Sequence, residues 1–324
     1  METSVLHGVL NADGLTVKAG DIGSLLGVTA RGFMAVILRG LPKDIETVMS
    51  VKTYVKDSKG EIRAMSDAVT ITYPVNDPTL KMVNAMKGLN VLAIGDSLFH
   101  GSTIGYSKQW IGLLAQQCSW NFTNLGRNGA TVSYNSSING STGGSRNSIY
   151  YNLFNKSDFE YGTTNSSYYN YGDTSGGKES VDLIFLQGGV NDWNQLVKLG
   201  DVNSTDPGTL YGSRRLIIDK LLTDYPNAKI VLVTTWYVDG SRENGTRMDF
   251  VSNNIKNLYN AHYKNNDRVF VLDAGNPAVS GANMNDSAWR TLYCPNDYSH
   301  LNAAGMIFMQ KAMLPYVYEI MEGK

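Results

Sequence analysis

The alternation of hydrophobic and polar positions changes character near residue 80. Before it, apolar and β-branched residues come in short runs broken by polar turns, with no helical period. Phe33–Leu38 reads as a strand, Val48–Val55 alternates in part, and Ala68–Tyr73 reads as an edge or terminal strand. Asp57-Ser58-Lys59-Gly60 is a hairpin turn signal, with a further strand starting at Glu61. Strands joined by polar turns predict a small β-sandwich-like module over residues 1–78. Pro74-Val75-Asn76-Asp77-Pro78 then reads as a linker, because two prolines interrupt strand pairing. Thr79–Lys87 has the pattern of a short connecting helix.

From residue 90 the pattern becomes strand–helix alternation. Strands are expected at 90–95, 121–126, 181–187, 229–235 and 269–273, and helices near 106–118, 209–224, 247–263 and 301–321. Asp182-Leu183-Ile184-Phe185-Leu186 and Ile230-Val231-Leu232-Val233 are apolar runs of the kind a parallel sheet buries on both faces. Right-handed crossovers between such strands give a three-layer α/β/α domain, here over residues 79–324. No internal repeat is visible. The stretch from Val132 to Lys178 stands apart, with Tyr134, Tyr150, Tyr151, Tyr161, Tyr168, Tyr169 and Tyr171 among Ser, Asn and Gly, and room for a short helix near 147–154. Two readings stay open for it: a surface insertion packed on itself, or a substrate platform beside the site.

Composition narrows the partners more than the fold. Hydrophobic residues at 42% against 18% charged describe a globular protein with a proper core, and a formal charge of -1 gives no electrostatic reason for nucleic acid or an anionic membrane as partner. No apolar run approaches the ~20 residues of a membrane span. The N-terminus Met1-Glu2-Thr3-Ser4 lacks signal-peptide character, so either the protein is cytoplasmic or its export signal lies outside this sequence. The charge-poor, amide- and tyrosine-rich composition favours a secreted or cell-surface protein. Cys118 and Cys294 make no disulfide framework, and Cys118 falls on an apolar helical pattern, as a buried thiol would. No cluster of His, Cys, Asp and Glu has metal-ligand spacing, and no glycine loop suits a phosphate, so neither metal nor cofactor is expected.

The chemistry is concentrated in four short blocks. Strand Asn90–Ile94 stops at Gly95 and presents Asp96 and Ser97 at the carboxyl edge of the sheet, where open α/β folds build their sites. Three blocks follow in order: Asn128-Gly129-Ala130, Gly189-Val190-Asn191-Asp192 and Asp297-Tyr298-Ser299-His300. Each has an ordinary explanation alone. A serine is common after a strand, Asn-Gly is a turn, Asn191 could cap a loop, and Asp297 could cap the last helix. Asp96 and Asp192 read as loop organisers that bond backbone N–H groups.

Together the blocks resemble the SGNH hydrolases, or GDSL esterase/lipase family, over residues 89–324. The resemblance implies a flavodoxin-like three-layer domain and a serine esterase. In it Ser97 is the nucleophile, His300 its general base and Asp297 the orienting carboxylate. The backbone N–H groups of Ser97 and Gly129 and the Asn191 amide would form the oxyanion hole. One departure is Leu98-Phe99-His100-Gly101, where many relatives carry a small polar residue followed by Gly. Phe99 and His100 could narrow the acyl pocket and favour acetyl. Trp193, Trp236, Tyr237 and Trp289 fall on expected edge loops, where flat faces suit sugar rings; His7 and His262 read as surface residues. The expected activity is removal of short acyl groups, acetyl first, from a carbohydrate or other small ester. Lipase, lysophospholipase and thioesterase remain alternatives, as does a carbohydrate-binding or adhesin module that kept the fold without catalysis. The N-terminal module resembles, loosely, the last strands of Ig-like or fibronectin-III-like domains.

Overall fold

The computed structural model describes residues 77–324, apart from 102–103, 135–146, 156–158, 237–238, 298 and 324, together with short strand segments before residue 74. The expected strand at Phe33–Leu38, the first three linker residues Pro74-Val75-Asn76, and His7 and Tyr237 lie outside the described residues. The chain divides into two compact units, Met1–Lys81 and Met82–Lys324. In the first, Thr47–Val51 pairs antiparallel with Val69–Tyr73, and Tyr54–Lys56 pairs with Ile62–Met65 on either side of the Asp57–Gly60 turn signal. Helix α1 (Pro78–Ala85) starts on a proline, whose fixed φ and missing N–H suit a first helical position.

The second unit is built on a mostly parallel sheet. Its strands are β1 (Asn90–Ile94), β2 (Asn121–Asn124), β3 (Tyr169–Tyr171), β4 (Leu183–Gln187), β5 (Lys229–Val233) and β6 (Val269–Leu272). Their order is β6-β5-β4-β1-β2-β3, parallel except for β3. Side chains alternate across the sheet into two separate cores. Val91, Ala93, Leu183, Phe185, Val231 and Val233 pack on one side with α3 (Trp110–Gln117) and the last helix (Ala303–Glu322). Leu92, Ile94, Ile184, Leu186, Ile230 and Leu232 pack on the other with α6 (Leu210–Asp224) and α7 (Asn254–Leu258). A sheet buried on both faces needs apolar residues at every position of its central strands, which is why β4 and β5 read as unbroken apolar runs. The result is the expected three-layer α/β/α domain.

All five expected strands of this unit form: four end one or two residues early, and β4 ends at Gln187 as expected but starts two residues late. Helix 247–263 is interrupted: α7 is flanked by wide π-type turns at Asp249–Asn253 and Tyr259–Tyr263. Strand β3 was not expected. It comes from the tyrosine-rich stretch and closes the free edge of β2, with Phe122 against Tyr169 at 6.3 Å between ring centroids. In the same stretch α4 (Ile149–Asn155) forms, and Tyr161 and Tyr168 are buried. Tyr161 and Tyr168 are thus packing residues, whereas Tyr171 stands exposed. Cys118 and Cys294 are both buried free thiols.

The order β2-β1-β4-β5-β6 reverses direction between β1 and β4. Chain from these neighbouring strands leaves toward opposite flanks there, opening a crevice at their carboxyl ends. Ser97 follows β1 and Asn191 follows β4, so both blocks start at that crevice. Beneath it Phe185 lies fully buried between Trp110 and Trp120, with centroids 6.1 Å from each. Phe185→Ala is expected to cost about 3–5 kcal/mol in urea unfolding, with the slope unchanged, because the removed ring leaves a cavity that two indoles cannot fill.

Candidate active site

Ser97 opens the single-turn helix α2 (Ser97–His100). Asp96 caps it, its carboxylate accepting from the Leu98 N–H at 2.9 Å. The loop that carries His300 comes from the far end of the chain. Asp297 folds this loop on itself: Oδ1 accepts from the Ser299 and His300 N–H groups at 2.7 and 2.6 Å, and Oδ2 lies 2.7 Å from His300 Nδ1. His300 Nε2 lies 2.8 Å from Ser97 Oγ. With Nδ1 carrying its proton toward Asp297, Nε2 is left as acceptor for the Ser97 hydroxyl. Burial alone would raise the Asp297 pKa. The His300 N–H, the imidazole and the Ser299 N–H outweigh it and hold the carboxyl below its ordinary value, so it is ionised at neutral pH.

The other two blocks meet each other through hydrogen bonds. Asn191, in α5 (Val190–Asn194), donates from Nδ2 to Ala130 O at 2.9 Å, next to Gly129. Asp192 reaches the same segment, accepting from the Val132 and Ser133 N–H groups at 2.8 and 2.9 Å and from the Ser133 hydroxyl at 2.6 Å. Gly129 has φ +70°, and Gly189 has φ +126° with Phe250 O only 2.0 Å from where a Cβ would stand. Both positions therefore need glycine. The β2 loop is tied to the serine loop as well: Arg127 N donates to Gly95 O at 3.0 Å, and Asn124 Nδ2 to Phe99 O at 2.7 Å.

The residues expected to line a substrate pocket are placed differently. Phe99 does not border the acyl site: it is fully buried and packs edge to face on Trp110 at 6.0 Å, because α2 turns its apolar side into the core. His100 pairs through Nε2 with the Tyr106 hydroxyl at 2.8 Å, and burial lowers its pKa. Trp236, 3% exposed, offers no free face; its indole N–H holds Ser299 O at 2.7 Å and braces the His300 loop. Trp193, 5% exposed, is covered by two arginines. Trp289 packs on Tyr293 and Phe308.

Several supporting residues escaped the sequence reading. Gln187 ends β4 and is buried, donating to Asp96 Oδ2 at 3.3 Å and Thr235 Oγ1 at 3.0 Å. The signal was an amide closing an otherwise apolar strand. The Cys294 thiol lies 3.0 Å from Asp297 O and 3.1 Å from His300 O, holding the Asp297–His300 loop. Arg214 is fully buried and donates to Gly188 O at 2.9 Å. Its signal was helical spacing, since it shares a face with Leu210, Ile217, Ile218 and Leu221. Burial lowers its pKa to about 10, opposed by the charges of Asp192 and Asp96.

Residues 93–306 match the GDSL-like Lipase/Acylhydrolase family. The chain belongs to this family. Among solved structures, this GDSL-family chain is similar to a protein from Lactobacillus plantarum, at 16% identity and a TM-score of 0.53, over 71% of this chain and 97% of that one. It is also similar to a family two carbohydrate esterase from Cellvibrio japonicus, at 15% identity and a TM-score of 0.45, over 80% and 66% of the two chains. A family two carbohydrate esterase from Clostridium thermocellum, in complex with cellohexaose, gives 10% and 0.47 over 81% and 71%. No curated protein matches the chain. Among the described residues of this GDSL-family protein no helix is long and apolar enough to cross a membrane.

The buried Asp96 gives the site a pH signature in stability. Burial lifts its pKa from 3.8 to about 6, against the Leu98 N–H, Gln187 and the His300 charge. The native carboxyl keeps its proton between pH 4 and 6, where the unfolded one has lost it, so this group makes stability fall as pH rises through that window. Two pH units amount to about 3 kcal/mol. Asp96→Asn is expected to be more stable relative to wild type at pH 7 than at pH 4, as read by denaturant unfolding at both values.

Proposed function

We propose that the protein is a serine esterase that removes short acyl groups, acetyl first, from carbohydrate. The observation that carries this reading is the chain of contacts from Ser97 Oγ through His300 to Asp297, at 2.8 and 2.7 Å. His300 would take the hydroxyl proton as Ser97 attacks the ester carbonyl, then deliver it to the departing alcohol. Asp297 would hold the ring and stabilise the imidazolium. Water then enters by the same route, with His300 again as base, and releases the acid. The negative oxygen of each tetrahedral intermediate would lie against the Ser97 and Gly129 N–H groups and the Asn191 amide.

Support for a small acyl group comes from Leu98 and Phe99, which are 2% and 0% exposed. The apolar side chains next to the nucleophile fill the core and are not free to line a channel for a long chain. Support for a sugar leaving group comes from the polar, charge-poor, asparagine- and serine-rich composition of the loops. A binding module without catalysis would have no need of a base held within hydrogen-bond distance of the serine.

The test is hydrolysis of p-nitrophenyl esters from acetyl to dodecanoyl. Acetyl should be fastest, Ser97→Ala should abolish turnover at every length, and a serine-directed phosphonate should label Ser97. A rate that rises with chain length would favour the lipase reading. Labelling elsewhere would overturn the nucleophile.

Asn191→Ala should lower kcat by roughly 10²–10³, about 3–4 kcal/mol, with little change in KM, because the amide acts on charge that develops only in the transition state. Near-normal kcat in a folded variant would reduce Asn191 to a brace for Ala130.

A further inference from the structure

Between β5 and the π-type turn at Asp249 the chain makes a small hairpin, Ser241–Arg242 paired with Gly245–Thr246. It spans two parts of the candidate site. On one side it follows Trp236, which holds the His300 loop through Ser299 O. On the other it is fixed to α5, the helix of Asn191: Trp193 Nε1 donates to Gly245 O at 3.1 Å, and Asn244 Nδ2 reaches Trp193 O and Val197 O at 3.3 and 3.1 Å. The Arg247 N–H closes the hairpin on Gly240 O at 2.8 Å.

This fixture gathers charge. The guanidinium carbons of Arg242 and Arg247 both lie 4.3 Å from the Trp193 ring centroid. Cation–π attraction holds each of them there. Their positive charges repel, and burial together with the Arg242 charge holds Arg247 below its ordinary pKa. Carboxylates do not compensate. Asp249 is committed to the Thr246 N–H and hydroxyl and to the Asn253 amide. Among the described residues no ion pair joins a carboxylate to either arginine. The buried Nε of Arg247 has no hydrogen-bond partner. Arg242 is exposed and Arg247 half-buried, so two cations without a carboxylate partner, one with an unused donor, stand where an anion from solvent can reach them.

We propose that Arg242 and Arg247, presented on Trp193, form an anion subsite at the rim of the candidate active site that takes the carboxylate of an acidic sugar in the acylated substrate. The guanidinium forks match a planar carboxylate, and an indole support keeps them ordered before it arrives. This deepens, and rests on, the esterase reading above: the preferred substrate is an O-acetylated oligosaccharide of a hexuronic acid.

The test compares an O-acetylated oligouronide with its methyl ester, which differs only in charge, and with p-nitrophenyl acetate. Wild type should show kcat/KM at least about tenfold higher for the acid than for the methyl ester, mostly through KM, and added salt should erode the preference. In Arg242→Gln/Arg247→Gln, kcat/KM for the acid should fall at least about tenfold further than for p-nitrophenyl acetate. Calorimetry with the deacetylated oligouronide and its methyl ester on wild type keeps the test independent of variant folding and of turnover. Wild type without preference for the acid, in either rate or binding, overturns the subsite, as do equal losses on all substrates in the variant. Tighter binding of the acid with no hydrolysis of any ester would uphold the subsite while removing the esterase reading.

Discussion

Three ionisable side chains lie fully buried beneath the candidate site, and the geometry of its loops depends on their balance. Asp96 ends the β1 loop, Asp192 sits in the helix after β4, and Arg214 reaches in from α6. Charges removed from water are tolerated only when other groups replace the lost hydration. Here each carboxylate takes backbone N–H groups from a loop that holds a candidate catalytic residue. Asp96 fixes the turn that begins at Ser97, and Asp192 fixes the segment after Gly129. Arg214 offsets both and holds Gly188 O, just ahead of Asn191. The loops are shaped from the inside, by desolvated polar groups that accept few alternative arrangements.

That principle explains what could be read in advance. Strands β4 and β5 announce themselves because both faces are buried, and Ser97 and Asn191 stand out as candidates because their blocks follow β1 and β4, with the His300 block ahead of the last helix. The two residues most easily misread were aromatic. Phe99 lies two residues after Ser97, yet one helical turn directs it into the core. Trp236 falls on an edge loop, yet its indole N–H is spent on Ser299 O. Sequence position gives proximity along the chain, whereas side-chain direction comes from the turn. Gln187, Cys294 and Arg214 were hidden for other reasons. Gln187 and Arg214 carry only a faint local signal because their partners Asp96, Thr235 and Gly188 O come from other segments, and Cys294 acts on Asp297 O and His300 O through the fold of its own loop.

The Trp236 and Cys294 contacts also show how the His300 loop is kept in place without a strand of its own. An indole N–H holds one carbonyl, a thiol lies under two others, and the Asp297 carboxylate takes two N–H groups before it meets the imidazole. These polar atoms are thereby committed without any substrate present. An imidazole set in this way has little reorganisation left to do when the proton moves.

The antiparallel strand β3 has a consequence beyond packing. A parallel α/β sheet that ended at β2 would offer the N–H and C=O groups of Asn121–Asn124 to any passing extended segment, with Phe122 as an apolar anchor. Strand β3 occupies that edge and is only Tyr169–Tyr171 long, while Tyr161 adds a hydroxyl bond to Asn121 O at 3.2 Å. Its own outer edge is too short to template a neighbour, and Asn170 and Tyr171 stand exposed there. The three residues Tyr169–Tyr171 thus cover the backbone edge through which sheets of this kind pair with one another.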